Sequence, residues 1–119
     1  MGSLSQKTDT KVLSIDFDLH TDGDEEFKRE LIALMIDNIR ELRGTLERSL
    51  KLNDMHSFHV CSHKVAPTLG ILNDQEFLDI IEMIKHQTDL SKLEYSVELF
   101  NRNCEELIYI LKKEAVNGH

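Results

Sequence analysis

Three imidazoles and one ammonium group fall between positions 56 and 64 of this 119-residue chain: His56, His59, His63 and Lys64. A neutral imidazole has a free lone pair and a reference pKa near ~6.5, so it can attack an electrophile without a separate general base. Two chemistries follow from that cluster. One is covalent acceptance of a transferred group, above all phosphoryl, on a single exposed ring. The other is a metal site, because positions i, i+3 and i+7 share one helix face with directions spread over about 60°. No nearby Asp or Glu obviously completes a metal set.

Other familiar chemistries find no residues to carry them. Cys61 and Cys104 lie far apart and form no CxxC pair, so they read as buried or idle thiols. Asp54, Asp74, Glu76 and Asp79 stand where helices are expected to begin, and capping explains them without an acid–base role. No Ser-His-Asp or Cys-His pairing is legible, and neither GxxxxGK[ST] nor a Gly-rich kinase loop is present. The chain is therefore not expected to be an enzyme with independent turnover.

The elements that must position His63 can be traced from periodicity. Residues 1–11 are polar and aperiodic and read as a flexible arm. The segment that follows, with Val12, Ile15, Phe17 and Leu19, alternates like a strand but has no second strand to pair with, so it reads as an irregular lead-in or one helical turn. Asp24 caps a long helix whose apolar positions are Phe27, Leu31, Leu34, Met35, Ile39, Leu42, Leu46 and Leu50. Asn53-Asp54 opens a second helix through Leu72, Asn73-Asp74 a third with Phe77, Ile80, Ile81 and Ile84 inward, and Asp89 or Ser91 a fourth through Leu111. Residues 115–119 are expected to fray. Four amphipathic helices joined by short loops predict an all-α antiparallel four-helix bundle over residues 12–114, with a short N-terminal lead-in segment.

On the second helix, Phe58, Ser62, Val65, Leu69 and Leu72 point within about 40° of one direction, and His63 lies about 140° from it. His63 is thus predicted to face solvent. Ala66, Pro67 and Gly70 share its outward side and leave room for a bulky partner. Val60 and Ile71 form an apolar rim beside it, with His59 adjoining and Ile32 and Ile36 of the first helix extending the docking surface. Pro67 has no amide hydrogen for the carbonyl of His63, so a kink or loosening is expected there.

Composition narrows the partners. A net charge of −8 and a pI near 5.1 make nucleic acid and anionic lipid poor choices, since both would repel the chain. No run approaches the roughly 20 apolar residues of a membrane span, and the stretch MGSLSQKTDT lacks the apolar core of a signal peptide, which points to the cytoplasm.

With these residues in view, the chain resembles the histidine-containing phosphotransfer (HPt) domains of two-component phosphorelays. GDEEFKRELIALMIDNIRELRGTLERSL is similar to the family's first long helix, with Gly23, Asp24 and Phe27 at the matching positions. FHVCSHKVAPTLGILND resembles the phosphorylation segment with His63 as the acceptor, and the likeness covers roughly residues 15–112. The commonest family pattern is His-x-x-Lys-Gly-Ser, whereas here Ala66, Pro67 and Thr68 occupy its last three places. Lys64 directly follows His63, and His-Lys-x-x-Pro looks like a variant found in some bacterial hybrid kinases.

The resemblance implies a phosphoprotein that accepts a phosphoryl group on His63 from a receiver-domain aspartyl phosphate and passes it to another receiver. It implies Lys64 as a possible phosphate contact, and receiver domains of response regulators and a hybrid histidine kinase as partners. It also implies no cofactor on this chain, with Mg²⁺ held by the receiver. Two other readings stay open: a helical module that binds receivers or kinases without carrying phosphate, and a surface histidine cluster that binds metal.

Overall fold

Aspartate and asparagine residues punctuate the chain into helices as the sequence leads one to expect. The structure, a computed structural model, describes residues 11–117, and it is all-helical, with no strand among the described residues. The helices are α1 (Phe17–Thr21), α2 (Glu25–Leu52), α3 (His56–Leu72), α4 (Gln75–His86) and α5 (Leu90–Asn117). Asp16, Asp24 and Asp74 each accept a hydrogen bond from the amide three residues on, at 3.2, 3.0 and 2.9 Å, which satisfies an otherwise orphaned donor of the first turn. At the other ends, Asp22, Asn53 and Asn73 adopt the left-handed conformation, φ 55° in each case, a region that Asn and Asp tolerate better than most residues. The lead-in resolves into irregular chain followed by the single helical turn of α1.

Neighbour relations among the four long helices follow a ring. α2 packs against α3 and α5, α4 packs against the same two, and α1 lies on α2. Phe100 of α5 sits at the centre, edge-on to Phe58 of α3 (6.0 Å between centroids) and stacked on Phe77 of α4 (5.4 Å), all three essentially without solvent contact. Such aromatic pairs add about 0.5–1.5 kcal/mol each beyond the area they bury. Met35, Ile39, Leu42 and Leu46 of α2 and Cys104, Leu107 and Leu111 of α5 complete the core.

Two expectations for α2 need correction. Ile32 and Ile36 are 1% and 8% exposed and belong to the core, so they offer nothing to a docking partner. Conversely Phe27, Leu34 and Leu50, expected inside, are each more than a third exposed. A helix gripped by α1, α3 and α5 buries a wide arc, and on α2 that arc is centred nearer Ile32, Met35 and Ile39 than a stripe through Leu34 would be.

The ends also differ from expectation. The flexible arm over 1–11 lies outside the described residues except at Lys11, which is anchored. Its Nζ is 2.8 Å from Asp74 and 3.1 Å from Glu76 and donates to Asn103, while its backbone amide donates to Glu106. A buried ammonium is tolerable only with such a full set of partners. Likewise α5 continues through Ala115 and Val116 to Asn117, where a frayed tail was expected. Lys28, also buried, joins three elements by pairing with Glu114 at 2.9 Å and lying 5.5 Å from the Phe17 ring centroid. No helix among the described residues is long and apolar enough to cross a membrane.

Candidate functional site

The inward face of α3 fixes where its outward face looks. Phe58, Cys61, Ser62, Val65, Leu69 and Leu72 are buried, and His63, on the opposite side, is exposed. Two side chains secure the helix start: the Ser49 hydroxyl accepts from the Phe58 amide at 3.2 Å, and Asp54 accepts from the His56 amide at 3.0 Å. α3 runs unbroken through Pro67, although that residue cannot donate to the His63 carbonyl.

His63 borders an open groove of about 380 Å³ lined by His59, Val60, His63 and Lys85. Lys85 comes from the last turn of α4, where the helix dipole favours a cation. The two-residue turn at Asn73-Asp74 folds α4 back along α3 and so brings this lysine beside the histidines. Among the described residues its ammonium has one loose partner, Glu82 one turn earlier on the same helix at 3.4 Å. Sequence reading did not identify Lys85, yet a signal was present. Ten residues before Asn73 is His63, and ten after Asp74 is Ile84, so a simple hairpin sets Lys85 nearly level with the imidazole.

Lys64, expected as a possible phosphate contact, points elsewhere. Its Nζ donates to Glu41 of α2 at 2.7 Å, and it does not line the groove. The hydrogen bond that Lys64 donates to Glu41, reinforced by that carboxylate's charge, holds its ammonium above its ordinary pKa of 10.5.

The surroundings of His63 are open on the sides anticipated. Ala66, Pro67 and Gly70 are exposed, Val60 is 53% and Ile71 36% exposed, and His59 is half-buried. The apolar extension onto α2 falls to a different residue from those expected. Leu34 lies seven residues before Glu41, as Ile71 lies seven after Lys64, so the two sit on the same seam as that ion pair. Leu34 is 48% exposed, whereas Ile32 and Ile36 are buried.

Among the described residues no three His, Cys, Asp or Glu side chains come together to hold a metal ion, so His56, His59 and His63 share a face without converging. Cys61 and Cys104 are both buried and unpaired. A second groove of about 360 Å³ runs between α2 and α5, but its Arg43 is committed to Asn101 and Glu105, and no nucleophile lines it. Two imidazoles and one ammonium line the groove between α3 and α4.

Compared with known proteins, the chain matches no family model, no curated protein and no solved structure.

Proposed function

We propose that this protein is an HPt-type phosphorelay intermediate, an antiparallel four-helix bundle that carries a phosphoryl group on His63 between receiver domains. The observation that carries the reading is a solvent-facing imidazole on a rigid helix, bordering an open groove with one cation and flanked by small exposed residues. The ring of contacts among α2, α3, α4 and α5 supports the bundle, and the helix order agrees with the family resemblance.

In the proposed step the distal ring nitrogen, Nε2, attacks in line at the phosphorus of an aspartyl phosphate on a docked receiver. The acyl O–P bond breaks, its electron pair stays on the aspartate carboxylate, and the new N–P bond forms. The imidazolium then releases its Nδ1 proton to water. Phosphoryl transfer depends on positioning and positive charge more than on covalent assistance, and the receiver's Mg²⁺ supplies much of that charge. Docking would cover Val60, Ile71 and Leu34, with Ala66, Pro67 and Gly70 giving clearance and His59 at the groove edge. Acyl phosphate and phosphoramidate are both energy-rich, so transfer runs in either direction between two receivers. A cytoplasmic setting fits those partners.

The test is to mix a receiver radiolabelled on its aspartate, in Mg²⁺, with wild type and with His63→Gln. Acid-labile label should reach the wild type alone. Equal label on the variant would move the acceptor to another residue, and receiver binding without label would favour a docking module that carries no phosphate.

A further inference from the structure

Resting on the phosphoacceptor reading, we infer that Lys85, on α4, supplies the phosphate-binding cation that this chain lacks at position 66. A phosphoryl group on the distal nitrogen of His63 brings close to two negative charges and three acceptor oxygens to the surface. In a protein of net charge −8 such a group needs a nearby cation. Ala66 provides none, and Lys64 is bound to Glu41 at 2.7 Å on the side toward α2. Lys85 lines the same groove as the His63 ring, on the side toward α4.

Three features suit Lys85 to the task. Its side chain is about three-quarters covered, 24% exposed, so the ammonium is held near the groove instead of sweeping through solvent. Its present partner, Glu82, is 3.4 Å away and also meets His86 at 3.3 Å, a contact easily exchanged for a dianionic phosphoryl group. Finally, α4 is tied down at its start by the Asp74 cap and by Lys11, so the hairpin that presents Lys85 to α3 is fixed at the turn. The cation thus comes from the neighbouring helix, across the groove, where the common family pattern places it one turn along the acceptor's own helix.

Phosphoramidate serves as the probe, since it needs no cognate receiver. Its P–N bond breaks with loss of ammonia as the His63 nitrogen bonds to phosphorus. The readout is the second ionisation of the bound phosphoryl group, followed by ³¹P chemical shift against pH. One ammonium at about 4 Å contributes on the order of 1 kcal/mol even at the dielectric constant of water, which corresponds to ~0.7 pH unit. Lys85→Gln should therefore raise that ionisation by about half a unit or more, Lys85→Arg should restore it, and Lys92→Gln, which removes an equal charge elsewhere on the surface, should leave it in place. A His63-dependent signal that titrates identically in wild type and Lys85→Gln would overturn this inference alone, as would a shift produced by Lys64→Gln instead. Absence of any ³¹P signal that His63→Gln abolishes would overturn the phosphoacceptor reading along with it.

Discussion

Pro67 is the only proline in the chain, and it stands inside α3, four residues after His63. Its ring removes the amide that would bond the His63 carbonyl, and proline in a helix interior costs about 3 kcal/mol relative to alanine. Pro67 is exposed, so Pro67→Ala forfeits no core packing. The substitution does free the unfolded chain, which offsets roughly 1 kcal/mol of the gain. The net expectation is a stabilisation of about 2 kcal/mol. For a domain of this size that amounts to a rise of about 8 °C in Tm, or about 1 M in the urea midpoint with an unchanged slope. Thermal and urea unfolding followed by far-UV circular dichroism would measure it. A Tm equal to or below that of wild type would refute the reasoning, because it would mean that the helix loses nothing to the proline ring or that the ring makes contacts its exposure does not suggest.

Other expectations follow from the same geometry. A Cβ added at Gly70 meets no atom within 4 Å, so Gly70→Ala should stabilise by about 0.5–1 kcal/mol. Gly70→Arg should fold at least as well as wild type, yet lower receiver-dependent transfer tenfold or more in a radiolabel assay. Asp74→Ala removes the α4 cap and one partner of the buried Lys11. It should cost about 3 kcal/mol in urea unfolding, whereas Asp74→Asn, which still caps, should cost less. Burial pushes the Cys104 thiol up to about 12 from an ordinary 9.0, so the folded state keeps a proton that the unfolded state gives up. Its contribution is intact below pH 9 and fades as pH rises toward 12, on the order of 4 kcal/mol at the limit. Stability measured between pH 9 and 11 should accordingly fall less steeply in Cys104→Ala.

The helices were legible because their ends carry local chemistry. Asp24, Asn73-Asp74 and Asp89 announce caps and turns within a few residues, and the structure places helix boundaries beside each. The outward aim of His63 was legible because the large inward residues Phe58, Val65, Leu69 and Leu72 recur at helical spacing on the opposite side of α3. α2 was harder. Apolar side chains lie on several of its sides, and the choice between Leu34 and Ile32 or Ile36 as the inward set depends on which helices pack against it. Lys11 was misjudged because its acceptors, Asp74, Glu76 and Asn103, are at least 63 residues away, and polar composition alone made the segment look free. Lys85 belongs to the same class of non-local facts, though the two-residue hairpin at Asn73-Asp74 encodes its register with His63.

Direct observation of the bond at His63 tests the account most sharply. With the protein labelled uniformly with ¹⁵N and phosphorylated by a receiver, a phosphorus–nitrogen coupling can be traced to one ring nitrogen of one histidine. The account predicts that coupling at Nε2 of His63. A coupling at His56 or His59, or phosphate bound to no imidazole, would contradict it.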